Sequence, residues 1–542
     1  MQNRNNVCVP GTLTVALATM LGAGPAQALP EEADFPPLDD VVAREPAAAP
    51  VKVPLQDPAS SDEHSAQRQA DLPGVSAKRK AEPMSDAAAV SDTDPPSDPA
   101  PASSPPPPPP PPAPAPAPPP APEPLAGISD GAAFLRSPDN FFQLFPGGRL
   151  QVDSYYYKGQ AKTPNNTVAL KRARAELSGW VGPMFFFSIA GDFAAGPPPA
   201  ADPVAPANLN TTDNFAALAP WGNRVIFQAG QFDAPFTLEN RTSDKYFDFL
   251  ERAVAVRAFG IPSNKEQGLM VHGMLPSDSA YYSVGVFNGD GQNFRNADTN
   301  FDVMGRGWLS LLPIALQPTI TMRAGGSFWV GKRENGLPIA SQSTEAGFAF
   351  WSPKWTGAAG VPLELHQDGD LRAYAAELDV SVWHKMGLRV EWVYRKQPLS
   401  VADISKAGSL TLLGTGSLSG NGGYAEIWYW PIGDNLIIGE PGLQFPSRWK
   451  KMNLAAPRHG LMLAARLERL SEQTSEAHAV ASPARGSTKL WGVTAGLNYW
   501  WSKRVRASVN YGLNSLSGSA AAITALPSGR VQELLLRIAF AL

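Results

Sequence analysis

From about residue 149 to the C-terminus, apolar and polar residues alternate with a period of two in one segment after another. The last twelve residues are the clearest case. Gln532, Leu534, Leu536, Ile538, Phe540 and Leu542 share one face, which is apolar after its first member, while Glu533 and Arg537 lie on the other among Val531, Leu535, Ala539 and Ala541. Residues i and i+2 of a strand share a face, so one side of this segment is set against apolar surroundings and the other against water or opposite charge. The pattern repeats upstream. Leu150, Val152 and Tyr156 alternate with Gln151, Asp153 and Tyr155; Ala173, Ala175, Leu177 and Val181 with Arg172, Arg174, Glu176 and Ser178. Phe185, Phe187, Ile189 and Phe193 oppose Ser188 and Asp192; Leu388, Val390, Trp392 and Tyr394 oppose Arg389, Glu391 and Arg395.

Such strands, broken by Gly, Pro, Asn and Asp clusters, number about 16, and an even number suits a bacterial barrel. A soluble sheet stack also alternates. Aromatic residues at strand ends favour the membrane reading, since interfacial girdles need them there: residues 155–157, Trp428 and Trp430, Trp500 and Trp501. The predicted fold is therefore all-β: a transmembrane antiparallel β-barrel over residues 140–542. The stretch 341–367 resists parsing into strands, and the glycine run 414–423 reads as a flexible loop.

The N-terminal part differs. Arg4, the apolar run 12–23 and Ala26-Gln27-Ala28 have the layout of an export signal over residues 1–28. Cys8, the single cysteine, lies inside it, so the exported chain would carry no thiol, disulfide or cysteine-based metal site. Residues 29–139 form an acidic linker rich in Pro and Ala, with eight consecutive prolines at 105–112, expected to be disordered or polyproline II in the periplasm. Residues 1–139 hold 8 Lys+Arg against 18 Asp+Glu, whereas residues 140–542 hold 37 against 31. The overall charge of −4 thus conceals a basic C-terminal domain, and a basic lumen favours anions.

Several segments resemble the phosphate-selective porins O and P. They are Gly148-Arg149-Leu150-Gln151-Val152-Asp153, the run from Leu170 to Gly179 with its Arg172-Ala173-Arg174, and Gly230-Gln231-Phe232-Asp233-Ala234-Pro235-Phe236-Thr237-Leu238-Glu239. Phe249-Leu250-Glu251-Arg252, Leu497-Asn498-Tyr499 and the stretch 505–511 add to them. The resemblance covers most of residues 140–542. It implies an outer-membrane porin, trimeric and passive, that lets small anions diffuse through a basic lumen, with phosphate or polyphosphate among them. Two positions depart from the family pattern. Asp233 stands where the family signature has lysine, which weakens phosphate preference, and the chain ends Phe540-Ala541-Leu542 instead of on an aromatic residue.

Strand parity nominates Arg172, Arg174, Arg306, Arg323, Arg389 and Arg395 as lining the anion path, and the segment after the Gly230-Gln231-Phe232 signature adds Arg241, Lys245, Arg252 and Arg257. Arginine suits the task, being permanently charged and shaped to meet phosphate oxygens. The structural alternative is that Glu176, Asp192, Glu251, Asp302 and Glu391 pair with these cations and stiffen the wall. Enzymatic readings have little support. The six histidines (64, 272, 366, 384, 459 and 478) lack metal-ligand spacing, no Gly-x-Ser-x-Gly occurs, and Asn288-Gly289-Asp290-Gly291 fits a hairpin loop better than a calcium loop. No catalytic residue, cofactor or metal is expected, and no nucleic-acid partner; outer-membrane lipid and copies of the same chain are the expected neighbours. The competing function is a closed structural barrel whose proline-rich arm tethers envelope layers.

Overall fold

Sixteen strands, each paired with its sequence neighbour, close into one antiparallel barrel in the computed structural model. The structure describes residues 124–129, 132–158, 166–195, 208–312, 319–334, 337–357, 360–405, 411–433, 459–476, 486–502, 504–518 and 529–541. The chain divides into two units, Pro25–Ala121 and the remainder. The export signal and the linker up to residue 123 lie outside the described residues.

The barrel strands are β1 (Phe142–Lys158), β2 (Thr167–Val181), β3 (Phe185–Ala195), β4 (Asn214–Leu218), β5 (Ile226–Asp233), β6 (Lys265–Met274), β7 (Ala280–Phe287) and β8 (Asp302–Ser310). They continue as β9 (Ile320–Arg333), β10 (Gly369–Val382), β11 (Met386–Asp403), β12 (Thr411–Ile432), β13 (Gly460–Glu476), β14 (Gly486–Ser502), β15 (Val505–Gly518) and β16 (Gly529–Ala541). Closure is made by β16 on β1, with Ile538 opposite Val152 and Arg537 opposite Asp153. One end has short turns, such as residues 182–184 and 383–385; the other carries the longer connections, including 234–264 and 334–368. Short turns face the periplasm in barrels of this architecture, so the loop end faces outward.

Alternation works as read from the sequence. Leu150, Val152 and Tyr156 are exposed on the outer surface, while Gln151, Asp153 and Tyr155 are buried inside. The aromatic girdle is only partly as expected: Trp428, Trp430 and Trp500 point inward and cluster with Phe249 and Met462, and Tyr429 and Trp501 take the lipid-facing places. A tryptophan at a strand end reveals its height and not its face; neighbours one residue apart point in opposite directions. Between Trp501 and Trp491, both exposed on β14, the strand climbs roughly 25 Å at about 3.3 Å per residue and a tilt near 40°. That matches the apolar band of an outer-membrane barrel.

Ahead of β1 the described residues include one more element. A hairpin of Ala126–Ser129 and Ala132–Arg136 lays its second strand on the foot of β1, Leu135 opposite Leu144 and Arg136 opposite Gln143. The pairing of β16 with β1 stops at Arg149, so residues 142–148 of β1 have an open edge on that side, and the hairpin covers its first part, at Gln143 and Leu144.

Two loop-end connections fold into the barrel. Residues 234–264, between β5 and β6, contain α1 (Leu238–Arg241) and α2 (Val254–Phe259). Thr237 caps α1 by accepting a hydrogen bond from the Asn240 amide at 3.1 Å. Phe236, Val254, Val256 and Phe259 pack with Trp329, and with Phe348, Trp351 and Leu365 from the β9–β10 connection, into an apolar core inside the barrel. That second connection accounts for the unparsed stretch 341–367: it follows the shape of the interior and not a strand period. The run 414–423 is no loop. It lies within β12, and α2 lies so close that a Cβ on Gly420 would sit 2.4 Å from Phe259 and one on Gly422 2.8 Å from Ala255.

Leu497 is exposed near the middle of the lipid-facing band of β14. Leu497→Arg is expected to destabilise the folded barrel by about 2–4 kcal/mol in denaturant titrations in lipid vesicles.

Candidate functional site

The charged interior is organised around the connection 234–264, which crosses the barrel and is gripped by strands on its far side. Its backbone carbonyls are the handles. Arg506 Nη1 donates to the Phe247 carbonyl at 2.6 Å, Asn498 Nδ2 to that of Asp248 at 2.8 Å, and Arg537 Nη1 to that of Leu250 at 2.7 Å. In return the carboxylate of Glu468 accepts from the Val254 amide at 2.8 Å and that of Glu391 from the Leu238 amide at 2.6 Å. These contacts satisfy polar backbone that an infolded loop removes from water.

On β2 a bulge opposite Gln151 and Val152 turns two consecutive residues, Lys171 and Arg172, inward. Asp244 lies beside them. It meets Arg149, Arg172 Nε at 2.5 Å and Arg174 Nη1 at 3.5 Å. Burial disfavours its charged form, but the Arg149, Arg172 and Arg174 guanidiniums outweigh burial and hold its carboxyl well below the usual range. Glu251 is depressed in the same way, by Lys171 at 2.9 Å and by Arg172 and Arg537, against the cost of burial. Glu176 takes Arg149 and Lys245, and Arg174 also reaches Asp192 at 2.8 Å.

The other nominated residues are also engaged. Arg306 binds both oxygens of Glu377, at 2.9 and 2.7 Å. Arg389 holds Asp248 at 3.1 Å, Asp379 at 3.4 Å and Glu426. Arg395 bonds Gln397 and stacks on Trp329, and Arg323 lies 4.6 Å over the Trp308 ring. Arg241 donates to the Asp233 carbonyl, Arg252 to that of Glu239 at 2.9 Å, and Arg257 to that of Ser343 at 2.9 Å. Arg172, Arg174, Lys245, Arg257, Arg306, Arg389 and Arg395 thus meet a carboxylate, a carbonyl or a ring from the infolded connections or from a strand not adjacent in sequence, contacts that no local pattern announces.

The nomination left out inward cations that matter as much, Arg149, Lys171, Arg466, Arg506 and Arg537 among them. Arg149 and Lys171 serve the Asp244 and Glu251 contacts. Arg466 and Arg537 are wholly buried, Arg466 bonding the Glu251 carbonyl at 3.1 Å and Arg537 clamping Asp153 through two 2.6 Å bonds. Their inward parity was visible; their partners were not.

Taken by strand, the inward charges separate. β15, β16, β1 and β2 present Arg506, Arg537, Arg149, Lys171, Arg172 and Arg174 against Glu533, Asp153 and Glu176. β10 to β13 present Glu377, Asp379, Glu391, Glu426, Glu468 and Glu472 against Arg389, Arg395 and Arg466. A basic arc and an acidic arc thus flank β14, whose inward side chains are uncharged. Of the histidines, His272 is buried with Nε2 3.0 Å from Gln228, and His384 sits in the β10–β11 turn. Among the described residues no group of three or more His, Cys, Asp or Glu is placed to hold a metal ion.

Comparison with known proteins agrees with this architecture. Residues 146–307, which run from β1 into β8, match the family model described as phosphate-selective porin O and P. The resemblance read from the sequence is supported over that stretch, and the fold is a closed antiparallel β-barrel of sixteen strands. Solved structures similar to it include OmpT, an outer membrane protein of Vibrio cholerae, at 11% identity and TM-score 0.44, covering 75% of this chain and 100% of that one. The outer membrane channel DcaP of Acinetobacter baumannii is 10% identical with TM-score 0.42, covering 75% and 99%. OmpF of Salmonella typhi, in complex with daunomycin, is 10% identical with TM-score 0.41, covering 74% and 99%. No curated protein matches the sequence.

Within the matched stretch the signature acquires a physical meaning. Gly230 has φ +130°, and a Cβ there would lie 2.3 Å from the Asn214 carbonyl oxygen. Gln231 Nε2 donates to the Thr211 and Thr212 carbonyls at 3.0 and 2.8 Å. Phe232 packs edge-on against Phe287, and Asp233 pairs with Lys265 at 2.7 Å.

Asp153 and Arg537 are both fully buried at the β16–β1 seam. Asp153→Asn leaves the guanidinium short of its main partner, and an unfolding titration is expected to show a loss of about 3–5 kcal/mol.

Proposed function

We propose that the protein is a passive diffusion pore for small anions, which follow the basic arc of β15, β16, β1 and β2. The observation that carries this is the separation of inward charge into arcs of opposite sign, with Lys171 and Arg172 turned together into the interior by one bulge. An anion moving along that wall meets several cations in succession, each already balanced in part by a carboxylate. Such a wall attracts without trapping, and conduction requires that no single site hold the ion too tightly. Phosphate is carried as one small anion among others: Asp244 and Glu251 occupy the guanidinium faces that a dedicated phosphate site would need free. The reading is of a channel and not an enzyme. With it go export by the N-terminal signal, a periplasmic place for the proline-rich linker, and association of three copies, as the family resemblance implies.

Reversal potentials of the purified full-length protein in planar bilayers under a potassium chloride gradient test the proposal. Chloride preference is expected, lowered in the Lys171→Ala/Arg172→Ala double variant and raised in Asp244→Asn, which removes a negative charge from the arc. Unchanged selectivity in both variants would refute the path, and folded protein without conductance would favour the tethering alternative.

The β9–β10 connection contributes Phe348, Phe350 and Trp351 to the core inside the barrel. Shortening it across residues 341–351 is expected to raise single-channel conductance while the barrel stays resistant to denaturation in detergent.

A further inference from the structure

Near the loop end, the outward face of β10 and β11 changes from apolar to cationic within two residues. Tyr374 and Tyr394 stand opposite each other in register, with Trp392 stacked on Tyr394 at 6.3 Å between ring centres. One step toward the loops, Arg372 stands directly opposite Lys396, and both are exposed on the lipid side of the wall. Like charges placed directly opposite one another destabilise a sheet unless something neutralises them. The structure shows neither side chain in an ion pair with any described residue. The nearby carboxylates on this face are Asp370 and Glu334. Asp370 lies opposite Lys332 in register, and Glu334 is bonded to that same lysine. On β14, Lys489 adds a third exposed cation to the rim, facing Ser471 and Ser517 in the neighbouring strands.

The height of this patch indicates its ligand. Interfacial aromatic residues sit at headgroup level, so the tyrosine pair marks the boundary of the apolar band and the cation pair lies among lipid phosphates. The long connections mark this end as the outer one. Arginine offers a two-pronged donor to a phosphate, and a neighbouring ammonium adds a point charge. We propose that Arg372 and Lys396 form a binding site on the outside of the barrel for the phosphate groups of an outer-leaflet lipid. The site is separate from the pore, because both residues point away from the interior.

The test uses the full-length protein in phosphatidylcholine nanodiscs containing a small fraction of lipid A, with bound lipid counted by native mass spectrometry. The Arg372→Gln/Lys396→Gln variant is expected to retain lipid A at least about tenfold more weakly, since each cation near a charged lipid surface contributes to attraction. Arg372→Lys/Lys396→Arg should keep most of the binding, and Lys396→Gln alone should lose part of it. Single-channel conductance reports folding independently and is expected to be unchanged in all of them. Equal retention of lipid A by the wild type and the double glutamine variant would overturn the proposal. Displacement of lipid A by millimolar inorganic phosphate would also overturn it, showing a free-phosphate site instead of a lipid site.

Discussion

Every backbone N–H and C=O at membrane depth must find its partner within the protein, and for strands only a closed sheet achieves this. The pairing of β16 with β1 is therefore the contact on which the rest depends. Its register is reinforced from inside: Arg537 and Asp153 face each other across the seam, and a slip of β16 by one residue would turn Arg537 toward lipid and leave Asp153 buried without it. The same constraint explains the hairpin before β1. Beyond the end of β16, β1 has an open edge, and the hairpin ahead of the barrel pairs with its first residues, Gln143 and Leu144.

Closure creates an interior that needs filling, and the chain fills it with its own connections. Residues 234–264 bring an apolar side, which joins the core around Trp329, and a polar side, which meets the arginines of the far wall. Burying so much charge is costly unless each ion is matched, and matched pairs add geometry more surely than they add stability. The interior behaves accordingly. Arg537 reads both Asp153 and Glu251, so it ties the seam to the infolded segment with one side chain. In the proposed pore, stability and solute path would draw on the same residues. There a cation that fixes a loop would also set the field a solute meets, and its carboxylate partner would limit how strongly it can hold an anion.

What the sequence revealed follows from the range of each interaction. Alternation is a property of neighbouring residues, so the strands, their faces and their number were legible, and the charged inner face with them. Whatever depended on distant contacts was not. Nothing around Arg466 or Arg537 in the chain points to carbonyls at Leu250 and Glu251, more than two hundred residues away. The β2 bulge erased parity at one point, which hid Lys171 beside the nominated Arg172. The glycines of β12 misled for a related reason: they serve close approach by α2 and not chain flexibility. Trp428 and Trp430 were correctly placed at a rim and wrongly turned, because height and face are independent coordinates on a strand.

The departure at Asp233 gains its sense from the same geometry. Asp233 stands opposite Lys265 in the β5–β6 register and bonds it, and Lys265 also holds Asp213 at 2.6 Å. One ammonium thus serves two carboxylates, and an acidic side chain stands where the family signature would place a lysine. In the proposed pore, anion preference would then arise elsewhere on the wall. Taken together, β15, β16, β1 and β2 carry more inward cations than carboxylates, so in the proposed pore the strands that close the barrel would also help set the charge of the path.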